Sequence, residues 1–406
     1  MMVQRHNRKH RARRMRWGVL AGVGCLVLAG CAGSDEQAEP DETPAVSVAV
    51  APEDDDGLES LRRRPHLECL PLAESGWSRA EEIVGVVGFP AALAANDEAV
   101  VVGGSRELNG DVVVYRSPDG LDWEEGEGFP LVNDGGPGVY VAGGPQGFVF
   151  AATRNGAVPN TPVVAFSVDG VSWEHIDPGA LPEDQVAWLS GVFAGPDSFI
   201  IVGSRLGNDL LMWHSSDGRT WTGTDLPPLE AGQAAVAPTD TGWISLTVAD
   251  QVQVWTSPDG LQWSETDTES APPDDALRAY TGTAPLIVHD GNWVLAVGGA
   301  ERGDPTVWVS TDEGANWNEH EVWGDGETSG FQVDAAISTE FGVIVAGAHD
   351  RGGDDHGSSF LHHSRDGMSW TPCLTTPLAF TQLVAFGEGI AAYDSEFGDI
   401  YTWTET

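Results

Sequence analysis

Downstream of the first thirty or so residues, apolar positions fall in short runs bounded by Gly, Pro, Asp and Asn, and no run keeps a helical period. That pattern predicts strands and tight turns throughout. The runs are of two kinds. One is a pair, in which a small-residue strand, a turn and an apolar strand follow one another, at residues 91–104, 138–153, 192–203, 234–248, 286–299, 334–347 and 382–393. The other is a single β-rich run, at 112–115, 163–166, 210–213, 252–255, 306–309 and 359–361, each leading into an Asp-containing turn and a further strand.

The turn itself recurs. Residues 310–317 read STDEGANW, and shorter versions stand at 117–123 (SPDGLDW), 167–173 (SVDGVSW), 215–221 (SSDGRTW), 257–263 (SPDGLQW) and 364–370 (SRDGMSW). Their first serines are 50, 48, 42, 53 and 54 residues apart, the spacing of a repeat architecture. A mechanical role explains each residue type: Asp accepts hydrogen bonds from nearby backbone N–H groups, Gly tolerates positive φ, and Trp offers a large face for packing.

This signature resembles the Asp-box, or BNR, repeat, whose pattern SxDxGxxW is met in full at 310–317 and in shortened form five more times. The resemblance implies a β-propeller in which each box joins the third and fourth strands of a blade. It also implies that Asp119, Asp169, Asp217, Asp259, Asp312 and Asp366 form turns, on the face opposite the usual ligand site. Seven strand pairs imply seven blades. The last, ending in the strand at 399–403, lacks a fourth strand, whereas Ser75, Gly76 and Trp77 look like the tail of a box at the start of an unpaired strand. An all-β, seven-bladed propeller over residues 66–406, with the strand at Trp77 completing the last blade, uses every strand and leaves no open sheet edge at the seam. Each blade then takes roughly 49 residues.

Charge and composition narrow the picture further. Across 406 residues there are 20 basic and 62 acidic side chains, with 51 Gly and 25 Pro. Seven basic residues lie before Trp17; taking them from a net charge of −42 leaves −49, which argues strongly against nucleic acid as a partner. Such acidity keeps a protein soluble and suits a salty habitat. Dedicated Ca²⁺ sites are another reading of it, but no motif calls for them, so no cofactor is expected.

The basic start, an apolar run of 14 residues at 17–30 and the ending LAGC resemble a bacterial lipoprotein signal. By that resemblance residues 1–30 are a signal peptide and Cys31 carries the lipid. Residues 31–65 are acidic, contain proline and no aromatic residue, and read as a disordered tether. The protein is therefore expected outside the cytoplasm, anchored to a membrane, and monomeric. Cys69 and Cys373 are the remaining cysteines of the exported chain, one just before the closing strand and one just after the sixth box. An oxidising compartment favours their pairing, which would stabilise a closed ring by about 4 to 5 kcal/mol in the chain-entropy model.

One regularity bears on function. Arg106, Arg154, Arg205, Arg302 and Arg351 each fall just after the second strand of a pair, whereas blade four has Asp250 there and blade seven Ser395 and Glu396. Two readings are open. The guanidinium groups form a partial ring that holds a carboxylate, sulfate or phosphate by bidentate hydrogen bonds, or each pairs with an acid of its own loop, such as Glu107, Asp209, Asp304 or Asp350. Sialidases share the Asp-box propeller and grip a carboxylate with three arginines beside a Tyr–Glu pair. Here their early Arg-Ile-Pro element is missing, and the nearest candidates, Tyr280 and Tyr393 with Glu396, form no clear pair. No catalytic residue is assigned. The segment 349–356 (HDRGGDDH) fits no metal-binding spacing, and His362 and His363 face opposite ways on a strand. The expectation is a binding module for a protein, glycan or anionic ligand, with a sialidase-like exo-glycosidase as the alternative.

Overall fold

The computed structural model describes residues 77–80, 83, 92–105, 112–128, 139–154, 161–176, 188–205, 209–224, 233–248, 251–273, 286–291, 293–298, 306–321, 330–339, 341–350, 359–376, 380–387, 389–394 and 398–404. Among them the regular elements are all strands. After β1 (Trp77–Arg79), blade 1 is β2 (Ala92–Ala95), β3 (Val100–Ser105), β4 (Val112–Ser117) and β5 (Glu124–Glu125). Blade 2 is β6 (Val139–Gly144), β7 (Gly147–Arg154), β8 (Thr161–Ser167) and β9 (Glu174–Ile176). Blade 3 is β10 (Trp188–Ala194), β11 (Phe199–Ser204), β12 (Leu210–Ser215) and β13 (Thr222–Gly223). Blade 4 is β14 (Gln233–Thr239), β15 (Gly242–Val248), β16 (Val252–Ser257) and β17 (Ser264–Glu265). Blade 5 is β18 (Leu286–Asp290), β19 (Trp293–Gly298), β20 (Thr306–Ser310) and β21 (Asn318–Glu321). Blade 6 is β22 (Gly330–Thr339), β23 (Gly342–Asp350), β24 (Ser359–Ser364) and β25 (Thr371–Thr376), and blade 7 opens with β26 (Phe380–Phe386), β27 (Gly389–Asp394) and β28 (Asp399–Thr404).

Each blade is a four-stranded antiparallel sheet, and the fourth strand of blade 7 is β1. The register there pairs Trp77 with Trp403, Ser78 with Thr402 and Arg79 with Tyr401. The seven-bladed, all-β architecture and its closure by an N-terminal strand are thus as the sequence pattern predicts. Inner strands touch in sequence around the ring, and β26 returns to β2.

The core is divided into seven layers, one between each pair of adjacent blades. Phe148 and Phe150 of blade 2 pack on Val101 and Val114 of blade 1. Trp243 and Trp255 of blade 4 pack on Ile200 and Val202 of blade 3. A third strand such as β12 carries apolar residues on both faces, since each face meets a neighbouring blade; Leu210, Met212 and Trp213 are all buried. His362 and His363 obey the same rule. Both are buried, one edge-on to Phe360 at 5.0 Å, the other with Nε2 2.8 Å from the Phe341 carbonyl oxygen.

The box tryptophans show how the layers are built. Trp173 fills the layer between blades 1 and 2, Trp221 that between 2 and 3, Trp263 that between 3 and 4, and Trp317 that between 4 and 5, so each packs on the blade before its own. Trp370 and Trp123 continue the series. Trp77 completes it by joining Phe380, Leu383 and Trp403 in the layer between blades 6 and 7, its ring 5.1 Å from that of Phe380. The closing strand therefore brings the seventh tryptophan as well as the missing sheet edge.

The box glycines serve the same joints. Gly218 has φ +72°, and a Cβ built on it would lie 2.1 Å from Cδ2 of Phe166 on the preceding blade. Gly120, at φ +74°, abuts Thr402 and Phe386 of blade 7 in the same way. Polar contacts add direction: Thr402 Oγ1 donates to the Gly120 carbonyl at 2.6 Å, Leu189 N–H donates to Thr153 Oγ1 at 3.0 Å, and Leu93 N–H donates to Gln382 Oε1 at 2.8 Å.

Two outcomes check this account by denaturant unfolding. Gly218→Ala should cost about 2 to 4 kcal/mol, combining a left-handed backbone with an overpacked joint. Trp77→Ala should cost up to about 3 kcal/mol, whereas Arg79→Ala, which breaks a 2.6 Å ion pair to Asp399 at a mostly exposed guanidinium, should cost less than about 1 kcal/mol. Equal losses for Trp77 and Arg79 would mean that the seam is held by charge rather than by packing.

Candidate functional site

A four-stranded up-and-down blade has two kinds of end. Turns from first to second strand and from third to fourth lie on one face of the disc; connections from second to third strand and between blades lie on the other. The six box aspartates are on the first face, and the positions that follow each second strand are on the second.

On the box face the carboxylates are committed to their own turns. Ser117 Oγ donates to Asp119 Oδ1 at 3.1 Å, and the same oxygen accepts the backbone N–H groups of Leu121 and Asp122, both at 2.9 Å. Asp169, Asp217, Asp259 and Asp366 repeat the arrangement with their own serines and turn amides. The extra residue at 310–317 changes it. Asp312 Oδ1 accepts Asn316 N–H at 2.8 Å, Oδ2 accepts the Asn316 side-chain amide at 2.7 Å, and Glu313 takes φ 56°, the one positive non-glycine φ among the described residues.

These bonds hold all six carboxyls below their ordinary value of 3.8. For Asp119 and Asp259 the largest cause is a single backbone donor, from Asp122 and Gln262 respectively, and for Asp312 it is the Asn316 amide. For Asp169, Asp217 and Asp366 burial is the largest influence and pushes upward, but turn amides and the box serine together outweigh it.

Of the five arginines singled out in sequence, Arg205 is the one whose side chain is described. It follows β11, 40% exposed, with Nε 3.7 Å from Asp209 Oδ2 and its backbone N–H bonded to the Asp209 carbonyl at 3.0 Å. Arg154 ends β7, opposite Thr161. Arg106, Arg302 and Arg351 lie outside the described residues, as do Cys31, Cys69, Tyr280, Glu396 and most of the segment 349–356. Cys373 is partly buried in the layer between blades 6 and 7, beside Trp77. Tyr393 is buried, and burial, with the charges of Asp394 and Asp399, raises its hydroxyl above its ordinary value. Arg219, an exposed residue in sequence terms, bridges two blades: its guanidinium lies 4.1 Å above the Phe166 ring and donates to Glu174 at 2.9 Å.

Two cavities among the described residues bear on binding. The larger, about 510 Å³, occupies the central channel and is lined by the later halves of the seven inner strands, so it lies toward the box face. Its walls are mostly Ala, Val, Leu and Ile, with His289 and Ser338 as the polar side chains. The second, about 420 Å³, lies between blades 3 and 4 and is bordered by Asp197, His214, Asp240, Trp243 and Asp259. Burial lowers the His214 imidazole, and the nearby Asp259 charge pulls the other way. Among the described residues no three His, Cys, Asp or Glu side chains stand together as metal ligands would. Sequence reading did not find the channel site, although its signal, the small residues of each inner strand, was in view.

No family model matches this chain, and no curated protein matches it. Among solved structures it is similar to YCF48 from Cyanidioschyzon merolae, with 12% identity over 81% of this chain and 98% of the other and a TM-score of 0.49. It is also similar to the Myceliophteria thermophila Cps50 (Swd1) β-propeller domain, with 10% identity, coverage of 81% and 100%, and a TM-score of 0.49. The fucose-specific lectin from Aleuria aurantia follows, with 14% identity, coverage of 71% and 94%, and a TM-score of 0.43.

The turn geometry fixes a pH dependence. A carboxyl with a lowered folded-state value favours folding when ionised, so the contribution is present above the unfolded value of 3.8 and is lost as pH falls through the folded value. Asp217→Asn should therefore flatten the fall in melting temperature between about pH 5 and pH 2, and Asp217→Ala should cost about 1 to 2 kcal/mol at neutral pH. An unchanged acid profile in the Asn variant would contradict the assignment.

Proposed function

We propose that the chain is a lipid-anchored, extracytoplasmic binding module, tethered through Cys31 and residues 31–65, whose disc presents a protein, glycan or anionic ligand to the face bearing Arg205. The observation that carries this reading is the placement of Arg205. Its guanidinium stands partly exposed just after β11, beside Asp209. A guanidinium so placed can donate two parallel N–H bonds to a carboxylate or sulfate. Arg106, Arg154, Arg302 and Arg351 hold the corresponding places in sequence.

The anchor rests on the LAGC signal, and the pairing of Cys69 with Cys373 on the position of Cys373 beside the Trp77 layer. Metabolic labelling with a radioactive fatty acid should mark the exported protein and be lost in Cys31→Ser. Thiol titration of the unfolded, unreduced protein should find no free cysteine.

Ligand binding is checked on an array of neutral, carboxylated and sulfated glycans, with an envelope-protein pull-down in parallel. Arg205→Ala should weaken capture of the strongest ligand about tenfold or more, the loss expected of a hydrogen bond to a charged group. Arg365→Ala is the matched control, since Arg365 is exposed in the blade 6 turn of the opposite face; Arg219 would not serve, because it joins blades 2 and 3. Turnover of a fluorogenic sialoside, abolished by Arg205→Ala and kept by Arg365→Ala, would replace the binding module with a glycosidase.

A further inference from the structure

We propose a second ligand site, on the box face: the cavity between blades 3 and 4 holds one neutral sugar residue through adjacent hydroxyl groups, with the Trp243 indole N–H as donor and the Asp259 carboxylate as acceptor. This site lies on the opposite side of the disc from Arg205 and does not depend on the function proposed above.

Trp243 points to a ligand. The residue is only 4% exposed and lines the cavity, and its indole N–H has no hydrogen-bond partner among the described residues. Other indoles of the same layer are satisfied: Trp255 donates to Thr247 Oγ1 and Trp263 to the Gly260 carbonyl, both at 3.2 Å. The nitrogens of Trp77 and Trp221 also lack an acceptor, but they are sealed from solvent and border neither cavity, whereas that of Trp243 is not sealed. Leaving a largely buried N–H without an acceptor is costly, so an incoming oxygen is favoured there.

The partners of that oxygen are close by. A Cβ built on Gly260 would lie 2.7 Å from His214 Cδ2 and 3.2 Å from Trp243 Nε1. The imidazole of blade 3 and the pyrrole edge of the blade 4 indole therefore converge on one glycine, next to Asp259. The turn bonds of Asp259 all go to Oδ1, from Ser257 Oγ and the N–H groups of Leu261 and Gln262. Among the described residues this leaves Oδ2 open to a donor from outside. Burial lowers the His214 imidazole against the pull of Asp259 and so favours its neutral form, which has one donor and one acceptor.

The space exists because this joint is not tied. The turns from first to second strand are bridged between blades 1 and 2 by the Asn96 side-chain amide, 3.3 Å from the Gly144 carbonyl, and between blades 2 and 3 by Gln146 Nε2, 3.5 Å from the Pro196 carbonyl. In blade 3 Asp197 stands at the place of Gln146, and an ionised carboxylate has no hydrogen to donate to the next turn. The cavity left there, about 420 Å³ with apolar borders from Pro196 and Pro258, is in the size range of small-molecule sites.

The donor set selects the ligand. An indole only donates and a carboxylate only accepts, so the occupant must offer an acceptor and a donor on neighbouring atoms, as adjacent sugar hydroxyls do. Asp197, Asp240 and Asp259 border the cavity and would repel an anion. A simple cation would leave the indole N–H unmatched.

Calorimetric titration of the intact protein with the methyl glycosides of glucose, galactose, mannose and N-acetylglucosamine, read beside its indole ¹⁵N–¹H spectrum, tests the proposal. At least one glycoside should bind at one site per chain with a Kd of about 1 mM and move the Trp243 indole signal, which is identified by its loss in Trp243→Phe. That variant keeps a ring but removes the N–H, and should weaken the glycoside about fivefold. Ser216→Trp, at an exposed position on the cavity border, should block it; if Trp243→Phe does not fold, this variant and the wild-type indole signal still decide. Binding by none of the four, binding that leaves the indole signal in place, unchanged affinity in either folded variant, or ethylammonium binding as tightly as the best glycoside would each overturn the site.

Discussion

Everything in this molecule depends on how one blade is laid against the next. A four-stranded sheet with apolar side chains on both faces is not stable alone, and here each face is satisfied by a neighbour, so seven layers exist only because the ring returns to its start. The contact that makes this possible is small: a tryptophan from each box, and the glycines Gly120, Gly170, Gly218, Gly260 and Gly314, pressed against the blade before it. Gly218 lets the turn approach Phe166, and Trp221 fills the layer that the approach creates. The aspartate has a different task, holding the turn in the shape that aims the other two.

Much of this could be read from the chain. The spacing of the Asp-Gly turns, the seven strand pairs and the odd strand at Trp77 contain the blade count and the closure, because strand period and turn chemistry are local properties. What could not be read is what the boxes touch. Glycine is called for by positive φ alone, so the sequence gives no sign that its missing Cβ also makes space for a ring on another blade. Likewise Arg219 looks like an ordinary surface residue until Phe166 and Glu174 are brought beneath it from blade 2.

The candidate sites were legible to different degrees for the same reason. Arg205 and Asp209 are close in sequence, and their pairing could be foreseen as one of two options. The channel is assembled from seven segments that are far apart in the chain, each contributing a few modest residues such as Ala95, Ala194 or Ala385. None of these stands out singly, and their common property appears only when the inner strands are set around one axis.

The seam also has a mechanical meaning. Among the described residues β1 is the first strand, and it is joined to β28 through the pairs Trp77–Trp403, Ser78–Thr402 and Arg79–Tyr401, with one further backbone bond from Ala80 N–H to the Ile400 carbonyl. Any pull transmitted through the preceding chain is borne first by those pairs and by the tryptophan wedged behind them. Peeling that strand away would uncover an unpaired sheet edge and an open apolar layer in one event, so the latch that locks the disc is also the place where load would begin to undo it.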